Sequence, residues 1–195
     1  MKIKYSTKFR KANAFELDLI WNGLQKLSLD IDSDIINQKF KLFVFLEKNN
    51  RKFRYPSVYL LSVELSELYD ELSLETNIIA AGIYFGFIKK SIFRISIEGA
   101  EFLVTNNIIK EYQAIVVDKK AEKAILYGNN ISKDMILSEF NDYDIRHLFL
   151  IYNQLGELIA LGKFRDDLKK KQDLSNEEII IRNYIDKGYY LRKEK

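Results

Sequence analysis

The segment from Ile78 to Leu103 limits the fold more than any other part of the chain. It opens with an apolar run, Ile78 to Phe87, that contains Gly82 and Gly86 and then meets a basic turn, Lys89-Lys90-Ser91. Phe93-Arg94-Ile95-Ser96-Ile97 then alternates apolar and polar residues, and Ala100-Glu101-Phe102-Leu103 is amphipathic. Period-two alternation is the mark of a strand with one face against a core, so Arg94 and Ser96 are predicted on the polar face opposite Phe93, Ile95 and Ile97. Two strands joined by a basic turn are expected, followed by a helix over 99–104 that Thr105-Asn106-Asn107 ends. The uncharged run from Thr76 to Ile88 is shorter than the roughly 20 residues needed to cross a bilayer.

Other segments extend this mixed pattern. Residues Phe9 to Leu27 carry apolar side chains at helical spacing, interrupted by Glu16. The dense run Phe40 to Leu46 reads as a core strand, Asn49-Asn50 as a hairpin turn, and Lys52 to Tyr55 as the return strand. Val58 to Leu61 is a short strand, and Ser62 is placed to cap a helix running to about Leu74. Beyond Ile108 come a strand at Ala114 to Val117, a helical turn at Lys120 to Leu126, and strands at His147 to Tyr152 and Leu158 to Phe164. Ser175-Asn176-Glu177-Glu178 has the capping-box pattern and predicts a helix toward Ile185 that Gly188 stops, with Tyr189-Tyr190-Leu191 as a final strand. A boundary near Ile108 divides the chain into 1–107 and 108–195, an α+β organisation with an N-terminal α/β domain.

The residue inventory excludes several chemistries. No cysteine is present among the 195 residues, which removes disulfides, zinc ribbons and thiol catalysis. The single histidine, His147, has no second histidine or cysteine to complete a transition-metal cluster, and no Gly-x-Ser-x-Gly elbow accompanies it. Asp30-x-Asp32-x-Asp34 opens like a calcium loop, but Ile35 and Lys41 stand where a glycine and a bidentate glutamate are required. Gly82 and Gly86 lack the Gly-Lys-Ser/Thr of a phosphate loop, and close backbone packing accounts for them better. No catalytic residue, metal, cofactor or small-molecule substrate is expected. Met1-Lys2-Ile3-Lys4-Tyr5 is charged and has no signal-peptide core, which favours a soluble intracellular protein without a membrane role.

The 31 Lys and Arg against 28 Asp and Glu give a net charge of only +3, so the placement of charge has to carry any argument about polyanions. Lys2, Lys4, Lys8, Arg10 and Lys11 crowd the N-terminus, where a basic terminus is as good a reading as an RNA contact. Lys89, Lys90 and Arg94 form a second group, an even choice between binding surface and ordinary solvated face. Lys163 and Arg165 sit two apart on one strand and share a face, and Lys169, Lys170 and Lys171 follow. The stretch 163–171 thus holds five basic and two acidic residues. Cations so arranged supply phosphate contacts, which position a nucleic acid without reading its sequence. Lys133, with Lys119, Lys120 and Lys123, lies around Tyr127-Gly128-Asn129.

In order along the chain, Phe85-Gly86-x-x-Lys89 with Phe93-Arg94, then Ala100 to Leu103, then Tyr127-Gly128-Asn129 resemble the Nip-seven family of large-subunit ribosome-biogenesis proteins. The likeness can be followed from about Tyr55 to Tyr190. It departs from the family at Ile131-Ser132-Lys133-Asp134-Met135, where small residues including a glycine are usual. The resemblance implies an N-terminal α/β domain followed by a C-terminal PUA pseudo-barrel, with RNA bound by the PUA domain and no catalysis. It implies pre-ribosomal or ribosomal RNA and other biogenesis or RNA-processing proteins as partners. An archaeal-type cytoplasmic monomer is expected, eukaryotic relatives being nucleolar. The RNA-binding candidates are then Lys163, Arg165, Lys169, Lys170, Lys171, Lys133, Lys89, Lys90 and Arg94. Two alternatives stand beside this reading. One is an RNA-modification enzyme or accessory subunit, for which Asp18, Asp30, Asp32 and Asp34 are the available carboxylates. The other is a protein-interaction scaffold presenting the aromatic run Phe40 to Phe45.

Overall fold

The computed structural model describes residues 8–28, 30–46, 48–49, 52–53, 55–73, 78, 80–138, 144, 146–165, 175–189 and 192. Two compact units divide the chain: 1–24 with 30–110, and 25–29 with 111–195.

The first unit is built on an antiparallel five-stranded sheet. Its elements are β1 (Lys8–Lys11), α1 (Ala14–Leu24), α2 (Ser33–Lys39), β2 (Phe40–Leu46), a small hairpin of β3 (Lys48–Asn49) and β4 (Lys52–Phe53), β5 (Ser57–Ser62), α3 (Val63–Leu72), β6 (Ile83–Lys89), β7 (Ile92–Ile95) and α4 (Ile97–Thr105). The sheet order is β1-β2-β5-β6-β7. The aromatic run lies in β2, where Leu42, Phe43 and Val44 are buried as core.

The helix expected from Phe9 is a correction: Phe9 to Lys11 are strand, and α1 begins at Ala14. The cause is the pattern Asn13-x-x-Glu16. Asn13 Oδ1 accepts from the Glu16 N–H and Glu16 Oε2 accepts from the Asn13 N–H, both at 2.9 Å, a reciprocal cap that fixes the helix start. Arg10 reaches back from β1 and donates to both Glu16 oxygens at 2.7 and 2.8 Å. Glu16 interrupts the apolar stripe because it serves the cap.

Ser62 caps α3, accepting from the Leu65 N–H. The strand expected from Ile78 starts only at Ile83, and β7 stops at Ile95. Ser96 does not stand on an outward polar face. It is fully buried and caps α4, accepting from the Gly99 N–H at 2.9 Å while its hydroxyl donates to the Tyr84 carbonyl at 2.7 Å. Gly86, with φ of +152°, is irreplaceable, since a Cβ there would lie 2.2 Å from the Arg94 carbonyl oxygen.

The second unit carries β8 (Gln113–Val116), α5 (Lys119–Leu126), β9 (Ile131–Ser132), a 3-10 turn at Lys133–Met135, β10 (Leu148–Tyr152), β11 (Leu158–Phe164) and β12 (Ile179–Asp186). Its sheet order is β8-β10-β11-β12-β9, antiparallel except for the β8–β10 pair. Parallel neighbours need a crossover, and α5 lies in that connection. Ile115, Ile125, Phe149, Ile151 and Ile181 are among the buried residues that fill the core. His147 directly precedes β10, its Nδ1 3.6 Å from Asp144 Oδ2.

Two further expectations are overturned here. Residues 179–186 form β12, not a helix capped by Ser175. Three successive isoleucines favour the pleated state, and Ile179 and Ile181 pair with β9. Ser175 to Glu178 instead form a turn closed by the Glu178 N–H to the Ser175 carbonyl. Tyr189 and Arg192 lie in a helical turn instead of a strand, with the Arg192 N–H bonded to the Gly188 carbonyl at 3.1 Å. No helix among the described residues is long and apolar enough to cross a membrane.

Burial alone would raise the Glu16 pKa. The bonds from Arg10 and the Asn13 N–H, with the Arg10 charge, outweigh it and hold the carboxyl below its usual value. A depressed folded pKa stabilises above the unfolded value near 4 and is lost as pH falls through the folded pKa. Glu16→Gln is therefore expected to cost about 1–3 kcal/mol at pH 7. Urea unfolding at a series of pH values should show the gap to the parent narrowing below about pH 4.

Candidate nucleic-acid interface

Four basic residues of the second unit lie around the first half of β12. In β11, Phe164 is buried while Lys163 is exposed, so Lys163 and Arg165 leave the chain on the same side. Lys163 is paired in register with Arg182 of β12, which is also exposed. Two cations side by side at this register are placed to serve neighbouring phosphates. The Arg165 N–H donates to the Ile180 carbonyl at 3.0 Å, and its Nη1 to the Ile179 carbonyl at 3.1 Å, which ties the guanidinium to the start of β12. Lys133 arrives from the other side of the same strand: Ser132 is paired with Ile179, and the Lys133 N–H donates to the Glu178 carbonyl at 3.1 Å.

The structure thus brings Lys133, Lys163 and Arg165 together around the first half of β12 and adds Arg182. Sequence reasoning missed Arg182 because it had assigned that segment to a helix. Lys169, Lys170 and Lys171 lie outside the described residues. Lys89, Lys90 and Arg94 belong to the first unit, at the β6–β7 hairpin.

A buried carboxylate organises the far end of β12. Asp186 is 2% exposed and receives Arg192 through two bonds of 2.9 and 2.8 Å. Asn183 Nδ2 donates to it at 3.0 Å. The same guanidinium donates to the Leu126 carbonyl at the end of α5, and Asn183 Nδ2 also reaches the Ile125 carbonyl at 3.1 Å. Gly128, at φ +87°, follows the Tyr127 C-cap of α5; a Cβ there would lie 3.1 Å from Arg192 Nη2. The hydrogen bonds with Asp186 raise the Arg192 pKa above its ordinary value against the cost of desolvation.

Residues 113–195 match the family described as the UPF0113 PUA domain. This segment has the PUA fold. Over nearly the whole length, the chain is 26% identical to a UPF0113 protein of Archaeoglobus fulgidus across 189 residues, 96% of either chain. Two solved structures share its fold. A PUA domain structure from Aeropyrum pernix K1 superimposes with a TM-score of 0.58 at 9% identity, covering 96% of this chain and 92% of that one. A conserved PUA domain protein of Thermoplasma acidophilum gives 0.51 at 12% identity, covering 96% and 99%.

The PUA domain has a cavity of about 910 Å³ beside α5, lined in part by Lys123, Tyr127, Glu157, Lys187 and Arg192. Tyr127 is 68% exposed, so its ring is presented to solvent at the rim. On the other side, Asn153 is buried with its amide fully used. Its Oδ1 accepts from the Leu155 and Glu157 N–H groups, and its Nδ2 donates to Glu122 and Glu157. Two carboxylates, three cations and an aromatic ring therefore border one concavity.

Removal of Asp186 leaves Arg192 and Asn183 without their shared acceptor. Asp186→Ala is expected to lower stability by about 2–3 kcal/mol. Hydrogen exchange should then speed up at the last turn of α5 and at 128–130, while the strands β10 and β11 stay protected.

Proposed function

We propose that this chain is a non-enzymatic RNA-binding factor of large ribosomal subunit biogenesis, acting on pre-ribosomal RNA through the basic surface of its PUA domain. The observation that carries the reading is the gathering of Lys133, Lys163, Arg165 and Arg182 around the first half of β12 within a PUA domain. These cations serve phosphates, which set register and orientation without reading bases. Lys169, Lys170 and Lys171 extend the same basic stretch along the chain. The cavity beside α5 suits a single unpaired base: Tyr127 supplies a stacking ring, Lys123 and Lys187 the charge for its phosphate, and Glu157 an acceptor for an amino edge.

The resemblance to the Nip-seven family supports the narrower role in ribosome assembly, with other biogenesis proteins as partners and the cytoplasm of an archaeal cell as the setting. The absence of catalysis belongs to the same proposal. The candidate carboxylates of the alternative reading have a simpler role at Asp32, which caps α2 by accepting from the Ile35 N–H at 3.0 Å.

Replacing Lys133, Lys163 and Arg182 together by Ala is expected to weaken binding of a single-stranded RNA 12-mer. It should also reduce the slope of log affinity against log salt by about 2, at roughly 0.7 per phosphate contact. Fluorescence anisotropy across a salt series checks this. An unchanged slope in a folded triple variant would remove the assignment of the site.

A further inference from the structure

We infer that the first unit carries a second nucleic-acid contact, a stacking platform for an unpaired strand on the sheet face formed by Tyr55, Phe87, Lys89 and Arg94. It goes beyond the PUA-domain reading, because every residue it uses lies in the first unit.

Burial tells the two faces of the sheet apart. Phe85, Ile88, Phe93 and Ile95 are buried, and a Cβ on Gly99 of α4 or on Gly23 of α1 would meet Phe85 or Phe93. That face is therefore the one under α1 and α4. Phe87 is paired with Arg94 and with Ser57, and Lys89 with Ile92, so these residues occupy the opposite face. On this second face α3 covers one end, where Tyr69 closes over Phe9 and Phe43 with ring centroids 5.3 and 4.9 Å apart.

Towards the β6–β7 turn the same face reaches solvent. Tyr55 is 46% and Ile92 44% exposed. The Tyr55 ring stacks on Phe87 at 6.1 Å and 29°, and the Lys89 ammonium stands 4.8 Å from its centre. An exposed ring held in this way is already ordered, so a ligand that stacks on it loses little entropy in doing so. Lys90 is exposed at the turn and Arg94 is half-buried beside Phe87. Residues 55–57 and 87–94 contain three cations and no acidic residue.

Ordered rings with cations beside them fit one ligand chemistry best: a polyanion whose π-faces are free. An unpaired RNA strand is such a ligand. A duplex keeps its base faces stacked within the helix and offers only phosphates and groove edges. On binding, a base takes the face of the Tyr55 ring, and the flexible Lys89 ammonium swings to the phosphate. Stacking of this kind is tolerant of sequence, so the platform holds single strands of any composition.

The test uses the full chain with two probes, a fluorescein-labelled oligouridylate 12-mer and a 12-base-pair RNA duplex. Each is run in the parent background and with Lys133, Lys163 and Arg182 replaced by Ala. Tyr55→Leu is expected to weaken single-strand binding about tenfold in both backgrounds, a loss typical of a base-stacking ring, and to leave duplex binding unchanged. Tyr55→Phe keeps the ring and should bind as the parent does. Lys89→Gln with Lys90→Gln, which leaves both rings in place, should lower the salt slope by about 1.

Single-strand binding unaltered by Tyr55→Leu in both backgrounds overturns the platform, whatever becomes of the PUA face. So does an equal loss on single strand and duplex, since that is not stacking. If the PUA substitutions change nothing while Tyr55→Leu weakens binding, the platform stands and the PUA assignment falls. No RNA binding by the parent chain removes both.

Discussion

Asp186 is the constraint on which the PUA domain most depends. A carboxylate 2% exposed is costly to bury unless its charge is met, and Arg192 and Asn183 meet it. In doing so they also tie down the end of α5: Arg192 takes up the Leu126 carbonyl, and Asn183 adds a bond to the Ile125 carbonyl, which also accepts from the Gly128 N–H at 2.7 Å. One buried charge therefore fixes the end of β12, the end of α5 and the turn through Gly128. The cavity wall formed by Tyr127, Lys187 and Arg192 is a consequence of that fixation.

The first unit solves a different problem. Its sheet is closed by α1 and α4 on one face, and α3 shields only part of the other. The aromatic residues left beyond α3 are held by one another, Tyr55 on Phe87, and by Lys89. A polar hairpin tip beside ordered rings is the arrangement from which the proposed stacking contact follows. At the PUA face the corresponding element is register, which sets Lys163 beside Arg182 on the exposed side of β11 and β12.

Much of this was legible in the chain. The bounds of β11 follow from its apolar run, and Ser62 marks the start of α3 because its hydroxyl satisfies the Leu65 N–H. The capping-box pattern, by contrast, misled at one site and was overlooked at another. At Ser175 to Glu178 it signals a helix, yet three isoleucines and the waiting edge of β9 draw the segment into a strand. At Asn13 to Glu16 it marks the true start of α1, hidden because the apolar stripe runs back through Phe9 into β1. Local patterns of this kind are overridden by pairing partners far away in the chain, which no window of residues contains. Arg182 was lost for the same reason, its place beside Lys163 being a matter of register. Tyr55 and Phe87 gave no signal, since a half-buried aromatic in sequence looks like core. Lys163, Arg165 and Lys133 could be named from charge and position, but their meeting at β12 depends on the sheet order.

The central claim is that RNA lies on the basic face around the start of β12. Residue-resolved amide shifts of the 15N-labelled chain, followed during titration with a short single-stranded RNA, test it most directly. The account predicts the largest shifts in the PUA domain at Lys133, Lys163, Arg165 and Arg182, fading as salt is raised. Shifts that leave these four amides unmoved while RNA binds would contradict it.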